Sequence, residues 1–316
     1  MDWTDRHCRY FLRLITRRAR LYTEMVTTGP LVHGNAHTLA HHLDFDPAEH
    51  PIALQLGGSD VAALAHAARL GERWGYDEIN LNVGCPSERV QTGSFGACLM
   101  AEPPLVAACV HAMRDAVSLP VTVKHRIGLN ESEEYGFVRD FVGTVSEAGC
   151  EVFMVHARNA VLKGLTPKEN REIPPLRYDV VHRLKRDFPH LTVVINGGLS
   201  DWDGIERELD HVDGVMLGRI AYHDPYMLAE VDRRVFGDTA RARSRAEVIR
   251  DLIPYASTQV ALGVSLRAIA RHVLGLYHGR SGGRYFRQIL SDAQRLKRGD
   301  VALFEEALAA VEPIPA

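Results

Sequence analysis

Ile79-Asn80-Leu81-Asn82-Val83-Gly84-Cys85-Pro86-Ser87 runs an apolar strand straight into a cysteine held between Gly84 and Pro86. A free cysteine most often ends as a small buried hydrophobe. Cys85 instead falls past the strand end, in a Gly/Pro turn, where side chains face clefts more often than cores. Asn80 and Asn82, two residues apart, put amides on one face of the same strand. Together they place a thiol for chemistry. Lys124 closes another apolar run, where an ammonium is costly unless it faces a ligand or snorkels to the rim. Asn196-Gly197-Gly198 and Gly218-Arg219 are glycine turns of the kind that lets backbone N–H groups approach phosphate oxygens. They imply a phosphorylated cofactor. Gln55 and His156 end two further apolar runs and can hydrogen bond to a ligand there.

The elements that must position these residues alternate in period. Strands are expected at Leu21 to Val26, Ile52 to Leu56, Glu78 to Val83, Pro120 to Lys124, Val152 to His156, Thr192 to Asn196 and Gly214 to Gly218. Helical patterns lie between them, at Asp60 to Trp74, Pro104 to Val117, Glu133 to Ala148 and Asp179 to Phe188. Such alternation implies a parallel sheet with helices outside it. A (β/α)8 TIM barrel gathers its site at the C-terminal strand ends, where Gln55, Asn82, Cys85, Lys124, His156, Asn196 and Gly218 all fall. A doubly wound sheet ranks second, because the chain has no GxGxxG or Walker A pattern. After about Arg241 only helical period remains, through Ala246 to Leu262, Leu266 to Leu276, Tyr285 to Leu296 and Ala302 to Val311. The expected organisation is a barrel over residues 1–240 and an all-helical C-terminal domain over 241–316.

The 316 residues carry a net charge of −3, which by itself argues against a nucleic-acid partner. The distribution reverses that. Arg267 to Arg298 holds eight cations and one acid, net +7 against −10 elsewhere, the kind of region that binds phosphates. A weaker basic run, Arg6, Arg9, Arg13 and Arg17, has the spacing of one helical face. Five cysteines without close pairs exclude a disulfide framework. The chain has neither a signal-peptide pattern nor a membrane-length apolar run, and it is expected to be cytoplasmic.

Four segments resemble motifs of the tRNA-dihydrouridine synthases: Leu81 to Ser87, Val121-Thr122-Val123-Lys124-His125-Arg126-Ile127-Gly128, Val155-His156-Ala157-Arg158 and Ile195-Asn196-Gly197-Gly198. Asp2 to Arg9, Tyr22 to Gly29 and Lys168 to Tyr178 resemble the A subfamily, so the likeness covers essentially the whole chain. The resemblance implies an FMN-containing barrel, a helical domain that helps to hold tRNA, and NADPH as reductant. It implies that Gln55, Lys124, His156, Asn196, Gly197, Gly198, Gly218 and Arg219 bind FMN and that Cys85 is the proton donor. It likewise implies tRNA contacts at Asn82, Lys168, Arg171, Arg284 and Arg287. The implied reaction adds hydride to C6 and a proton to C5 of a D-loop uridine, at positions 20 and 20a, after the base leaves its stack. A monomer is expected.

Other signals weigh less. His33, His37 and His41 have metal-like spacing, but Gly34 and Asn35 interrupt the helix and no carboxylate stands at a matching step, so no metal is expected. Cys98, Cys109 and Cys150 read as packing residues, Cys8 is unassigned, and Asp44 with Asp46 reads as a loop. Arg126 is left between pairing with a carboxylate and reaching RNA. Family members begin with an apolar strand and an Ala-Pro-Met turn, whereas here Met1 directly precedes Asp2. The chain is therefore expected to start at an internal methionine, with the first barrel strand truncated. Two alternatives are a flavin-dependent dehydrogenase of a free pyrimidine and a flavin-free RNA-binding scaffold.

Overall fold

The computed structural model describes residues 3–88, 90, 93–130 and 134–311, so Asp2 of the opening motif and Glu133 at the start of an expected helix lie outside the described residues. The chain forms two compact units that are interleaved in sequence. One comprises residues 22–44 and 52–218; the other comprises 1–21, 45–51 and 219–316.

The first unit is built on a parallel sheet whose order follows the chain. Its strands are β1 (Leu21–Tyr22), β2 (Val26–Thr27), β3 (Ile52–Gly57), β4 (Glu78–Val83), β5 (Val121–Arg126), β6 (Val152–His156), β7 (Thr192–Asn196) and β8 (Gly214–Met216). β3 to β8 pair consecutively, and β1 and β2 both lie against β3. Helices Val61–Trp74, Pro103–Ala116, Tyr135–Glu147, Tyr178–Asp187 and Trp202–Leu209 connect successive strands from β3 onward. This is the expected (β/α)8 arrangement, with seven of eight strand positions filled; among the described residues no strand pairs β8 with β1. The strands are apolar because both faces are covered: Leu54, Leu56, Ile79, Leu81, Val83, Val123, Phe153, Val155 and Ile195 are completely buried. Asp60 and Asp201 start their helices by accepting from Ala63 N (2.8 Å) and Gly204 N (2.8 Å).

Two expected strands come out shorter. Leu21 to Val26 is split into β1 and β2 because Thr23 turns its hydroxyl to the backbone, accepting from Gln55 N at 2.9 Å and donating to Glu24 O at 2.8 Å. β8 stops at Met216 rather than Gly218, and the Met216 carbonyl is taken by the Asn196 amide at 2.8 Å.

The second unit is helical. Helix Arg6–Ile15, capped by Asp5, packs on helices Arg245–Ala261 and Leu266–Val273. Phe11, Leu252, Ala256, Ile269 and Val273 are buried in this core. The basic run Arg6, Arg9, Arg13 and Arg17 is in part turned inward. Arg9 and Arg13 are buried; Arg9 pairs with Glu49 at 2.6 Å, and Arg13 donates to the carbonyls of Thr16, Ala19, Glu49 and Pro51. Arg17 lies beyond the helix and pairs with Asp232 and Asp238. The expected helix Tyr285 to Leu296 is two helices, Gly283–Ile289 and Ala293–Arg298, because Asp292 caps the second by accepting from Gln294 N and Arg295 N. Among the described residues, no helix is long and apolar enough to cross a membrane.

Candidate active site

Strand register sets the C-terminal ends of β3 to β7 side by side: Gln55 beside Asn80, Asn82 beside Lys124, Arg126 beside His156 and His156 beside Asn196. Side chains two apart on one strand share a face, so Asn80 and Asn82, Thr122 and Lys124, and Met154 and His156 line the same surface. A continuous polar chain crosses it. Thr122 donates to Glu78 (2.7 Å), Asn80 donates to Thr122 (2.8 Å), Gln55 donates to Asn80 (2.8 Å) and Asn82 donates to Gln55 (2.9 Å). Every amide orientation is thereby fixed by its neighbour.

This chain ends at the Cys85 turn. The Asn82 carbonyl oxygen accepts from Gly84 N at 3.1 Å and from Cys85 N at 3.0 Å, while Arg126 Nε donates to Gly84 O at 3.1 Å. On the far side, Ala97 N donates to Cys85 O at 2.9 Å. The approach needs glycine next door: Gly96 has φ +76°, and a Cβ there would lie 2.6 Å from Cys85 O. Cys85 itself is half-buried, with Sγ 3.5 Å from Ser87 Oγ. Burial pushes the Cys109 thiol up to about 11 and Cys150 to about 12, and raises Cys98; Cys109 and Cys150 are buried and Cys98 is half-buried.

Cations dominate the opposite side. Burial lowers the Lys124 ammonium to about 8, with the Arg126 charge adding to the effect. Its hydrogen bond goes to Asn196 Oδ1 at 3.3 Å. Burial pushes the Arg126 guanidinium down to about 10. Of the two roles left open for Arg126, pairing with a carboxylate is not what the described residues show. The residue is 3% exposed, and its Nε and Nη1 donate to three carbonyls: Gly84, Asn159 (3.3 Å) and Asn170 (3.0 Å). His156 lies well below the ordinary histidine value through burial and the charges of Arg126, Lys124, Arg158 and Arg171, so it is a neutral ring at pH 7. Gly197 (φ +112°) brings backbone against that ring, where a Cβ would meet His156 Cδ2 at 2.5 Å. Tyr178 OH donates to Gly197 O at 2.7 Å and holds the turn.

Gln55, Asn82, Cys85, Lys124, His156, Asn196 and Gly197 are thus joined in one strand-end cluster, and Gly198 (φ +73°) continues the last turn. Gly218 is exposed two residues beyond β8, and Arg219 opens a short helix of the second unit. Lys168 and Arg171 are exposed on the turn around Glu169–Arg171. Buried Asn170, between them, gives the carbonyl held by Arg126 and anchors the loop through Val161 and Thr166. In the second unit, Arg284 and Arg287 are exposed on helix Gly283–Ile289. Two of the eight cations expected to form a phosphate-binding region are instead internally neutralised: Arg271 pairs with Asp5, and Arg295 pairs with Asp300 and Glu306. His33 ends one helix while His37 and His41 lie on the next, which breaks their spacing at Gly34 and Asn35. Asp44 accepts from Trp74 Nε1 at 3.0 Å, and Asp46 caps the turn Pro47–Glu49.

A half-buried ammonium bonded to the Asn196 amide oxygen rather than to a carboxylate suits a ligand that gathers negative charge, and the glycine turn at Asn196 to Gly198 suits a phosphate. The Dihydrouridine synthase family model matches residues 1–312. The chain belongs to this family. Its members are flavin oxidoreductases that act on tRNA uridine. Among its relatives, the tRNA-dihydrouridine(20/20a) synthase of Pseudomonas putida is 58% identical over 98% of this chain and 91% of its own length. Those of Salmonella typhimurium and Escherichia coli K12 are 56% and 55% identical, again over 98% of this chain, and over 92% and 88% of their own lengths. The solved structure of a 2-naphthoyl-CoA reductase complex resembles this chain with a TM-score of 0.56 at 11% identity. The likeness covers 73% of this chain and 46% of the reductase chain and extends to the fold alone. Within a dihydrouridine synthase, the bracket that Arg126 forms around the Cys85 turn is what the sequence reading missed. Its signal was a third polar residue, two beyond Lys124, at the buried end of an apolar strand.

Proposed function

We propose that this dihydrouridine synthase reduces the C5=C6 bond of D-loop uridines at positions 20 and 20a of tRNA, with FMN as its flavin and NADPH as reductant. The observation that carries the reading is the half-buried Cys85 thiol, fixed by Asn82 and Arg126 in the same strand-end cluster as the Lys124 ammonium. Gln55, Lys124, His156 and Asn196 would hold the flavin ring system, and Gly197, Gly198, Gly218 and Arg219 its phosphate. When bound, a reduced flavin supplies hydride for C6 of the uracil. Cys85 gives its proton to C5, acting as a general acid held at the strand end. Asn82, whose Oδ1 is spent on the Cys85 turn, contacts the base through its remaining donor capacity. Lys168 and Arg171, exposed beside this cluster, take tRNA phosphates, as do Arg284 and Arg287. The base must leave its stack to reach the thiol, which explains the need for an RNA-gripping surface. A monomeric cytoplasmic enzyme belongs to the same reading. The exposed cations weigh against a free pyrimidine as substrate.

The test replaces Cys85 by Ala. Tandem mass spectrometry of tRNA from a strain lacking the gene, complemented with either form, should show dihydrouridine restored by the wild type. The variant should lose on the order of a hundredfold or more in rate while purifying with the same flavin absorbance. Undiminished turnover would remove Cys85 from the reaction. No gain of dihydrouridine with the wild type would reject the function itself.

A further inference from the structure

Helix Gly283–Ile289 presents two different sides. Gly283 and Phe286, with Leu290 just beyond, are buried, and the Phe286 ring packs on Tyr277 with centroids 4.7 Å apart. At 100° per residue, Arg284, Tyr285, Arg287 and Gln288 occupy the outer arc, and all four are exposed. Tyr285 is 62% exposed. Other exposed aromatic rings have partners: Trp3 stacks on Tyr222 at 4.6 Å, and Phe236 lies under the Arg18 guanidinium. Tyr285 has neither a ring neighbour nor a hydrogen bond among the described residues, although a tyrosine in water leaves a large apolar face uncovered. Its surroundings are cationic rather than apolar. Arg284 and Arg287 share its exposed arc, and Arg280, Lys297 and Arg298 of the same basic segment are also exposed; none of the five has an ion pair among the described residues. Asp292, the lone acid of the segment Arg267 to Arg298, is spent as a helix cap.

A flat aromatic ring sharing one exposed helix face with guanidinium groups that have no ion pair among the described residues matches single-stranded nucleic acid, in which phosphates and unstacked bases alternate along the chain. A protein partner would be recognised by a wider apolar surround, and here the ring's neighbours on the helix are charged or amide side chains. We infer that Tyr285 is a base-stacking residue: its ring packs on an unpaired nucleobase of the bound tRNA while Arg284 and Arg287 hold neighbouring phosphates. This rests on the tRNA reading above and extends it to a residue that neither the motifs nor the charge pattern singled out.

The two kinds of contact separate by their dependence on salt. Stacking is nearly independent of ionic strength, whereas each phosphate contact adds about 0.7 to 0.9 to the slope of log affinity against log salt. Binding of an unmodified tRNA transcript with uridine at positions 20 and 20a is measured by fluorescence anisotropy across a potassium chloride series. The proteins compared are the wild type, Y285A, Y285F and R284A, each checked by thermal melting. Y285A should bind roughly tenfold more weakly with an unchanged slope, and Y285F should stay within about twofold of the wild type. R284A should show the smaller slope. Wild-type affinity in Y285A, or equal losses in Y285A and Y285F, overturns the stacking role and leaves the tRNA reading standing. Failure of the wild type to bind the transcript overturns both.

Discussion

At the scale of single residues, the Lys124 ammonium carries the clearest pH consequence. Its pKa is lowered to about 8, so the charged form is present below that value and is lost as pH rises through it. If this cation supports bound flavin, affinity of the apoprotein for FMN should be flat up to about pH 8 and then fall by up to about tenfold per unit. Flavin fluorescence titrations between pH 6.5 and 9.5 would show the break, and K124Q should bind more weakly with no break in that window. A break in K124Q like that of the wild type would assign the titration to another group. Lys124, Asn82 and Cys85 were legible because each is polar or nucleophilic at the end of an apolar strand, where burial without purpose is costly. Arg126 was not. Its partners are the carbonyls of Gly84 after β4 and of Asn159 and Asn170 in the long connection after β6, and its place two residues beyond Lys124 hints at a buried polar end without encoding that meeting.

Among the elements, helix Arg6–Ile15 shows how spacing fixes a face without fixing its direction. Four arginines at helical intervals read as a basic run on one face, and Glu49 with the nearby carbonyls, from a segment more distant in the chain, draws Arg9 and Arg13 inward. Burial pushes the Glu49 carboxyl up, and the Arg9 guanidinium opposes it. Removing that carboxylate in E49A should leave the Arg9 charge buried without a counter-ion, held only by its hydrogen bond to Thr4 O, and cost about 3 to 5 kcal/mol in urea unfolding. The double variant Arg9→Met with Glu49→Leu should recover most of this loss, and a loss below about 1 kcal/mol in E49A would show the pair to be dispensable. Strands β4, β6 and β7 match the expected spans: Asp77 and Gly84 bound β4, Glu151 precedes β6 and Gly197 ends β7. The split of Tyr285 to Leu296 was missed because helical period continues across it, and only the cap formed by Asp292 marks the restart.

For the molecule as a whole, acid should unfold it by way of its histidines. His7 and His125 are lowered to about 4 by burial, and His156 lies well below its ordinary value. The unfolded chain therefore takes up protons between about pH 6.5 and 4 that the folded chain refuses. Stability should be full above about pH 6.5 and fall as pH drops toward 4, with a slope that can reach about 4 kcal/mol per unit if all three act together. Urea midpoints measured at half-unit steps from pH 7.5 to 4.5 test this, and a flat profile down to pH 5 would contradict it. Strand order and barrel class were readable because each strand pairs with its neighbour in sequence. The grouping of residues 1–21 and 45–51 with 219–316 was not, since nothing local announces a partner so far along the chain. That interleaving bears on biosynthesis: helix Arg6–Ile15 leaves the ribosome long before Arg245–Ala261 and Leu266–Val273, its covering helices, have been translated. Its greasy side must wait in the open or under a chaperone, so the nascent polypeptide is most vulnerable while its last quarter is still being made.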